Sequence, residues 1–270
     1  MGSRIQKSFY SEGDETVLDL KSKGKGWRGH SKERVLFISD TQFPYGHQDM
    51  LPFMEAVGER FKCGTIISVG DMIDNYWFSR YEKSVRAQSF TDDEAATIVD
   101  FTEWGNVFPE VRVIAGNHED RFLQKLASAG IPSDWFPLEK MMKENLGMSP
   151  GWSLHKCIMY PDPCCGTLVI HGHEDGATAA AGNTARQLGW SVVKGHNHSF
   201  SFVHVTHLIG QTIRYDMQLG CLINDKAEAF KYNRTQLKRP ILNAGICIGG
   251  HKYIIPMIVD KNGRWTGELI

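Results

Sequence analysis

The sequence predicts an α/β fold: two packed mixed β-sheets flanked by helices. Between Arg34 and about residue 200, short apolar runs alternate with segments of helical periodicity, the pattern of strand–helix–strand units. Beyond that point the apolar runs follow one another without helices, which predicts a second, largely antiparallel sheet packed on the first. No fixed-period repeat and no apolar run of roughly 18 residues interrupts this order.

The chain of 270 residues can bury the core of one large domain. An N-terminal arm, flexible or extended, is read over 1–33 and a single domain over 34–270. In the arm, Lys21, Lys23, Lys25 and Arg28 lie among glycines with no periodicity, the composition of a solvated tail. The formal net charge of -1 excludes a global basic field but leaves room for a local patch. There is no secretory h-region, and Gln6 stands where a myristoylation signal needs Ser or Thr. A cytoplasmic protein without membrane contact is expected. Cys63, Cys157, Cys164, Cys165, Cys221 and Cys247 form no C-x-x-C pair, so they read as small buried hydrophobes.

Val35 to Ile38 reads as a strand buried on both faces. It ends in Ser39-Asp40-Thr41-Gln42, and a helix follows over 47–62, with Met50, Leu51, Met54, Val57 and Phe61 on one face. Thr65 to Val69 is a second strand, ending in Gly70-Asp71-Met72-Ile73-Asp74-Asn75. The aromatic segment Tyr76, Trp77, Phe78, Tyr81 comes next. Thr91 to Glu94 predicts a capped helix start, running to about Val107. A third strand over 111–115 leads into Gly116-Asn117-His118-Glu119, then two helical pieces to about residue 150. Strands over 166–170 and 191–194 end in His171-Gly172-His173 and Gly195-His196-Asn197-His198, with an alanine-rich helix over 178–188 between them. Strands over 200–209, 212–222 and 252–259 make the second sheet.

The chemistry-bearing residues stand directly after the apolar runs: Asp40 and Gln42, Asp71 and Asp74, Asn117 and His118, His171, His196 and His198. If the five strands share one mainly parallel sheet, their carboxyl ends share one edge, where open α/β sheets bind ligands. Carboxylate, amide oxygen and imidazole together suit divalent metals of intermediate hardness. His47, His155 and His173 can approach the same edge, but each read singly is structural. Tyr76, Trp77 and Phe78 can stack on a base or line the core. Lys226, Lys231, Arg234, Lys238 and Arg239 form a late basic stretch, by default a solvated face.

These motifs resemble the calcineurin-like metallophosphoesterases. That family's pattern is D-x-H, G-D-x-x-D, G-N-H-[DE], a later His and G-H-x-H. Asp40-Thr41-Gln42-Phe43-Pro44 and Gly220-Cys221-Leu222-Ile223 are further similar to small phosphoesterases encoded by phages. The resemblance implies an αββα sandwich and hydrolysis of phosphate esters at two divalent metal ions bridged by Asp71. Asp40, Gln42, Asp71 and His198 would hold the first ion; Asp71, Asn117, His171 and His196 the second. Mn²⁺ is the expected metal, with Mg²⁺, Fe, Zn²⁺ or Ni²⁺ as alternatives. Two such metals clamp the attacking and leaving oxygens and lower the pKa of water. His118 is left to donate to the leaving oxygen, with Asp74 orienting a ligand or His118. For Glu119 the plainer role is a charge at a helix N-terminus.

Gln42 departs from the pattern, where the family has a histidine. A neutral amide oxygen is a harder, weaker ligand than imidazole, so a weaker first site that favours Mn²⁺ over zinc is expected. The substrate expected first is a phosphodiester of nucleic acid (DNA or RNA) or of a nucleotide. A phosphomonoesterase is an alternative, as is a protein phosphatase, although the Arg-Gly that continues the second motif of protein phosphatases is replaced by Asn75-Tyr76. From another class, a metal-stabilised binding module without turnover is the competing reading.

Overall fold

Two six-stranded sheets pack face to face with helices outside them. The structure is a computed structural model that describes residues 15–17, 25–161, 166–173, 183–208, 212–233 and 239–269. The first sheet contains β2 (Ser31–Ile38), β3 (Cys63–Ser68), β4 (Arg112–Ile114), β5 (Ser153–His155), β11 (Asn243–Ile248) and β12 (His251–Pro256), in the order β12-β11-β2-β3-β4-β5. Its strands β2 to β5 run parallel, and β11 and β12 close one side antiparallel. The second sheet contains β1 (Glu15–Val17), β6 (Cys157–Tyr160), β7 (Thr167–Val169), β8 (Ser191–Lys194), β9 (Phe202–Leu208) and β10 (Thr212–Gln218), in the order β1-β6-β7-β8-β10-β9.

The alternation along β2 explains why this strand reads as uniformly apolar. Val35 and Phe37 enter the layer between the sheets with Ile67, Val69, Ile114, Val169, Val193 and Met217. Leu36 and Ile38 face the other way, onto α1 (Met50–Phe61) and α2 (Phe90–Val107), where Phe53, Met54, Val57, Phe101 and Trp104 are fully buried. Both faces of the strand are therefore dry, the condition for a continuous apolar run. The remaining helices are α3 (Arg121–Ser128), α4 (Leu138–Leu146) and α5 (Asn183–Leu188).

Several expectations are corrected. The strands after residue 166 do not extend the first sheet: β7 and β8 pair with β6 and β10 in the second. Conversely, the strand expected over 252–259 belongs to the first sheet through β11. A short run dry on both faces fits either sheet, so its partner is decided by long-range pairing. The α2 cap is Ser89, two residues before the predicted start, in a reciprocal capping box with Asp92. Trp27 is buried, stacks at 5.0 Å on Phe108 and donates to the Val107 carbonyl, and β2 begins at Ser31 rather than Arg34. The rest of the predicted arm lies mostly outside the described residues, as do Cys164, Cys165, Arg234, Lys238 and the first part of the helix expected over 178–188.

Replacing Phe37 by Ala removes a fully buried ring from between the sheets. The expected loss is about 3–5 kcal/mol of unfolding free energy, read as a lowered urea midpoint at unchanged slope; an unfolding free energy within about 1 kcal/mol of wild type contradicts this packing.

Candidate metal centre

The carboxyl ends of β2, β3 and β4 in one sheet and of β7 and β8 in the other meet at one edge of the sandwich. Gly195 brings the sheets together there: a Cβ on it would lie 2.2 Å from Ser39 Oγ and 2.6 Å from Asp40 Oδ2. Gly116 does the same within the first sheet, where a Cβ would lie 2.1 Å from Asp71 Oδ1. Only glycine permits these approaches. The backbone is also bent sharply at the polar residues themselves. Asp40, Gln42, Asp71, Asn75 and His196 all have φ between 48° and 72°, a left-handed region sparsely used by non-glycine residues and concentrated at functional sites.

The side chains fall into two touching groups. In one, His198 Nε2 lies 3.1 Å from Asp40 Oδ1 and 3.0 Å from Gln42 Nε2. In the other, His171 Nε2 lies 3.1 Å from Asp71 Oδ2 and 3.2 Å from Asn117 Oδ1. His196 joins them: its backbone N–H donates to Asp40 Oδ2 at 3.1 Å, and its ring centroid is 5.1 Å from that of His171. Donor atoms of Asp71, His171 and His196 lie within 4.8 Å of one another. Every candidate ligand read from the sequence therefore reaches this edge.

Asp40 and Asp71 are almost wholly removed from water. Burial works to raise both carboxyls, but neighbouring imidazoles hold each below the usual carboxylate range: His198 for Asp40, His118 and His171 for Asp71. The effect on His171 is reciprocal. Burial lowers its pKa, but the Asp71 charge carries it up to about 10. His196 goes the other way, to about 4, through burial and the neighbouring His171 charge.

His118 stands beside the second group. Its Nδ1 is 3.4 Å from Asp74 Oδ2, and its Nε2 is 3.7 Å from Asp71 Oδ2. Burial lowers its pKa, but the Asp71 charge and Asp74 leave it raised. The sequence reading missed Arg121, at the start of α3. Its guanidinium lies 2.6 Å from His118 Nε2 and donates to the Asp74 carbonyl at 2.6 Å. Asn75 donates to the His118 carbonyl at 2.9 Å. The signal for Arg121 was its spacing, one helical turn beyond His118.

Glu119 is not a helix-terminus charge. It is fully buried and accepts four backbone N–H groups: Asp71 and Gly116 on Oε2, Met72 and Ile73 on Oε1. It staples the loop after β3 to the loop after β4. His47 accepts from the Asp49 amide and pairs with the Gly263 carbonyl, and His155 lies 2.8 Å from Ser153 Oγ, so both read as structural. His173 stacks near the edge, 5.5 Å from the His171 ring. Cys63, Cys157, Cys221 and Cys247 are buried, as small apolar side chains are. In the late basic stretch, Arg239 faces Asp225 at 3.9 Å.

The groups fit divalent cations on two counts. His171 Nδ1 is 2.9 Å from the Val69 carbonyl, to which it donates. In the neutral ring Nε2 then presents a lone pair to two oxygens, an arrangement that needs a proton or a cation among the three. Gln42 Oε1 is a buried acceptor with no hydrogen-bond partner, which a cation would satisfy.

The calcineurin-like phosphoesterase family model matches residues 33–252. The gene 54 protein of Mycobacterium phage D29 is 25% identical over 222 residues, 72% of this chain and 81% of that protein. Among solved structures, vacuolar protein sorting 29 from Cryptosporidium parvum is similar at a TM-score of 0.43 and 14% identity, covering 88% of this chain and 94% of that one. YfcE, a phosphoesterase from E. coli, is similar at 0.39 and 12% identity, covering 88% and 98%.

Glu119→Gln turns an N–H₂ toward two of the four backbone donors. Each stranded donor costs roughly 1–3 kcal/mol, so the urea midpoint should fall clearly; an unchanged midpoint contradicts the stapling role.

Proposed function

The chain belongs to the calcineurin-like phosphoesterase family, and on that premise we propose that it is a metal-dependent hydrolase of phosphodiesters in nucleic acid or nucleotides. The observation that carries the reading is the trapped His171 Nε2, facing Asp71 and Asn117 oxygens at 3.1 and 3.2 Å. Asp40, Gln42, Asp71 and His198 would hold one divalent ion, and Asp71, Asn117, His171 and His196 a second. Asp71 would serve both ions because a carboxylate has two oxygens to share, whereas an imidazole held at Nδ1 has one nitrogen. Bound cations supply Lewis-acid chemistry, polarising phosphoryl oxygens and lowering the pKa of water.

The chain's own residues supply orientation and a proton. Asp74 Oδ2 faces His118 Nδ1 at 3.4 Å, the charge that favours a protonated ring, and Nε2 turns toward Asp71 at 3.7 Å. In the structure Nε2 faces the Arg121 donor; once a phosphate oxygen engages that guanidinium, Nε2 is free to carry a proton to the leaving oxygen, a contribution of roughly 10²–10⁴ in rate. Arg121 lies against the same nitrogen, and its guanidinium suits a non-reacting phosphate oxygen. It supplies a cation that Asn75 and Tyr76 cannot. The amide of Gln42 makes the first site the weaker one, with Mn²⁺ preferred over zinc. A metal-stabilised binding module would keep the ligands but has no use for the ordered Asp74–His118–Arg121 set.

The test is hydrolysis of bis-p-nitrophenyl phosphate and p-nitrophenyl phosphate with Mn²⁺, with and without chelator. Diester turnover that chelator abolishes is expected; bound metal without turnover under any metal overturns the assignment. His118→Ala should lose about 10²–10⁴ in kcat while retaining metal, and Asp71→Ala should lose both. Gln42→His should raise zinc occupancy; unchanged occupancy and preference contradict the role given to Gln42.

A further inference from the structure

A cavity of about 190 Å³ lies under the segment that follows β3, between α2 and α4. Its walls are aromatic: Tyr45, Tyr76, Trp77, Phe78 and Phe122 all line it. These rings brace one another edge to face, Phe78 on Phe122 at 5.1 Å and Tyr76 on Trp77 at 5.9 Å. An apolar cavity of about 150 Å³ accommodates a benzene ring, so this one has the size for a single planar heterocycle. The wall is shared with the centre through Asn75, which lines the cavity and donates to the His118 carbonyl.

One buried carboxyl group breaks the apolar lining. Asp93, in the first turn of α2, is 7% exposed and lines the cavity. Its Oδ2 accepts from the Tyr45 hydroxyl and, at 3.0 Å, from Trp77 Nε1–H. Its Oδ1 is buried with no hydrogen-bond partner. Two donors thus fix the carboxylate and leave one acceptor unsatisfied, a costly arrangement for a group with no ligand to meet. Nothing in the reaction proposed above uses it.

We propose that this cavity is a nucleobase subsite, in which the aromatic walls hold the ring and Asp93 Oδ1 accepts a hydrogen bond from an exocyclic amino group. The proposal rests on the phosphodiesterase reading for its purpose, with Asn75, which lines the cavity and donates to the His118 carbonyl, as the link between base and centre. It makes the substrate class narrower: esters of adenine, cytosine or guanine nucleosides rather than of uracil or hypoxanthine. Adenine and cytosine present an amino group where hypoxanthine and uracil present a carbonyl oxygen, and an oxygen facing a carboxylate is repelled.

Matched nucleoside pairs test it without phosphate, metal or turnover. The full chain is titrated calorimetrically with cytidine against uridine and with adenosine against inosine. Wild type should bind the amino member of each pair roughly tenfold more tightly, the worth of one charge-assisted hydrogen bond. In Asp93→Asn the amide oxygen takes the Tyr45 and Trp77 donors, and the amide N–H₂ replaces the free acceptor. The preference should then reverse toward uridine and inosine, at a melting temperature near wild type. Tyr45→Phe, which removes one of the two donors fixing the carboxylate, should narrow the preference toward parity. No binding of any nucleoside at millimolar concentration, or the same preference in wild type and Asp93→Asn, overturns the subsite. Diester hydrolysis stands or falls separately in the bis-p-nitrophenyl phosphate assay.

Discussion

Two carboxylates buried at the meeting of two sheets govern this structure. Asp40 and Asp71 are each removed from water almost completely, and an uncompensated charge in that position is costly. Compensation comes from imidazoles that the chain delivers from the opposite sheet: His198 to Asp40, His171 to Asp71. A divalent cation would supply the same compensation more completely, and on the function proposed above would supply it to Gln42 and Asn117 as well. The folded state is thus prepared for cations, and ligand binding and folding draw on the same groups.

Precision at such a site comes from its support. The candidate ligands sit at strand ends rather than on long loops, and strands position side chains more tightly than loops do. Glu119 ties two of those ends together through four N–H groups, and Gly116 and Gly195 allow the ends to approach within contact distance. The left-handed backbone at Asp40, Gln42, Asp71 and His196 is the conformational cost of turning those residues onto one edge. The packing of both sheets holds that strain in place.

The site was legible because each motif follows directly on an apolar run, so polar residues at strand ends stand out. How the strands divide between sheets was not. Runs such as Val192-Val193 are dry on both faces and carry no mark of which neighbour they pair with. Strand β11 escaped notice because Asn243-Ala244-Gly245 lacks the β-branched residues that announce a strand. The partners of Glu119 and Arg121 lie nearly fifty residues away in sequence, at Asp71 to Asp74, and no local pattern encodes a hydrogen bond across that distance. Trp27 was hidden by its lysine- and glycine-rich surroundings although its ring is part of the core.

The central claim, that side chains from both sheets form one dinuclear centre, is tested most directly by locating the ions. In a crystal equilibrated with Mn²⁺, an anomalous difference map should contain two peaks at the strand-end edge. Asp71 should lie between them, with Asp40, Gln42 and His198 around one and Asn117, His171 and His196 around the other. A map with no peak at this edge, or with a single peak that Asp71 does not touch, would contradict the account.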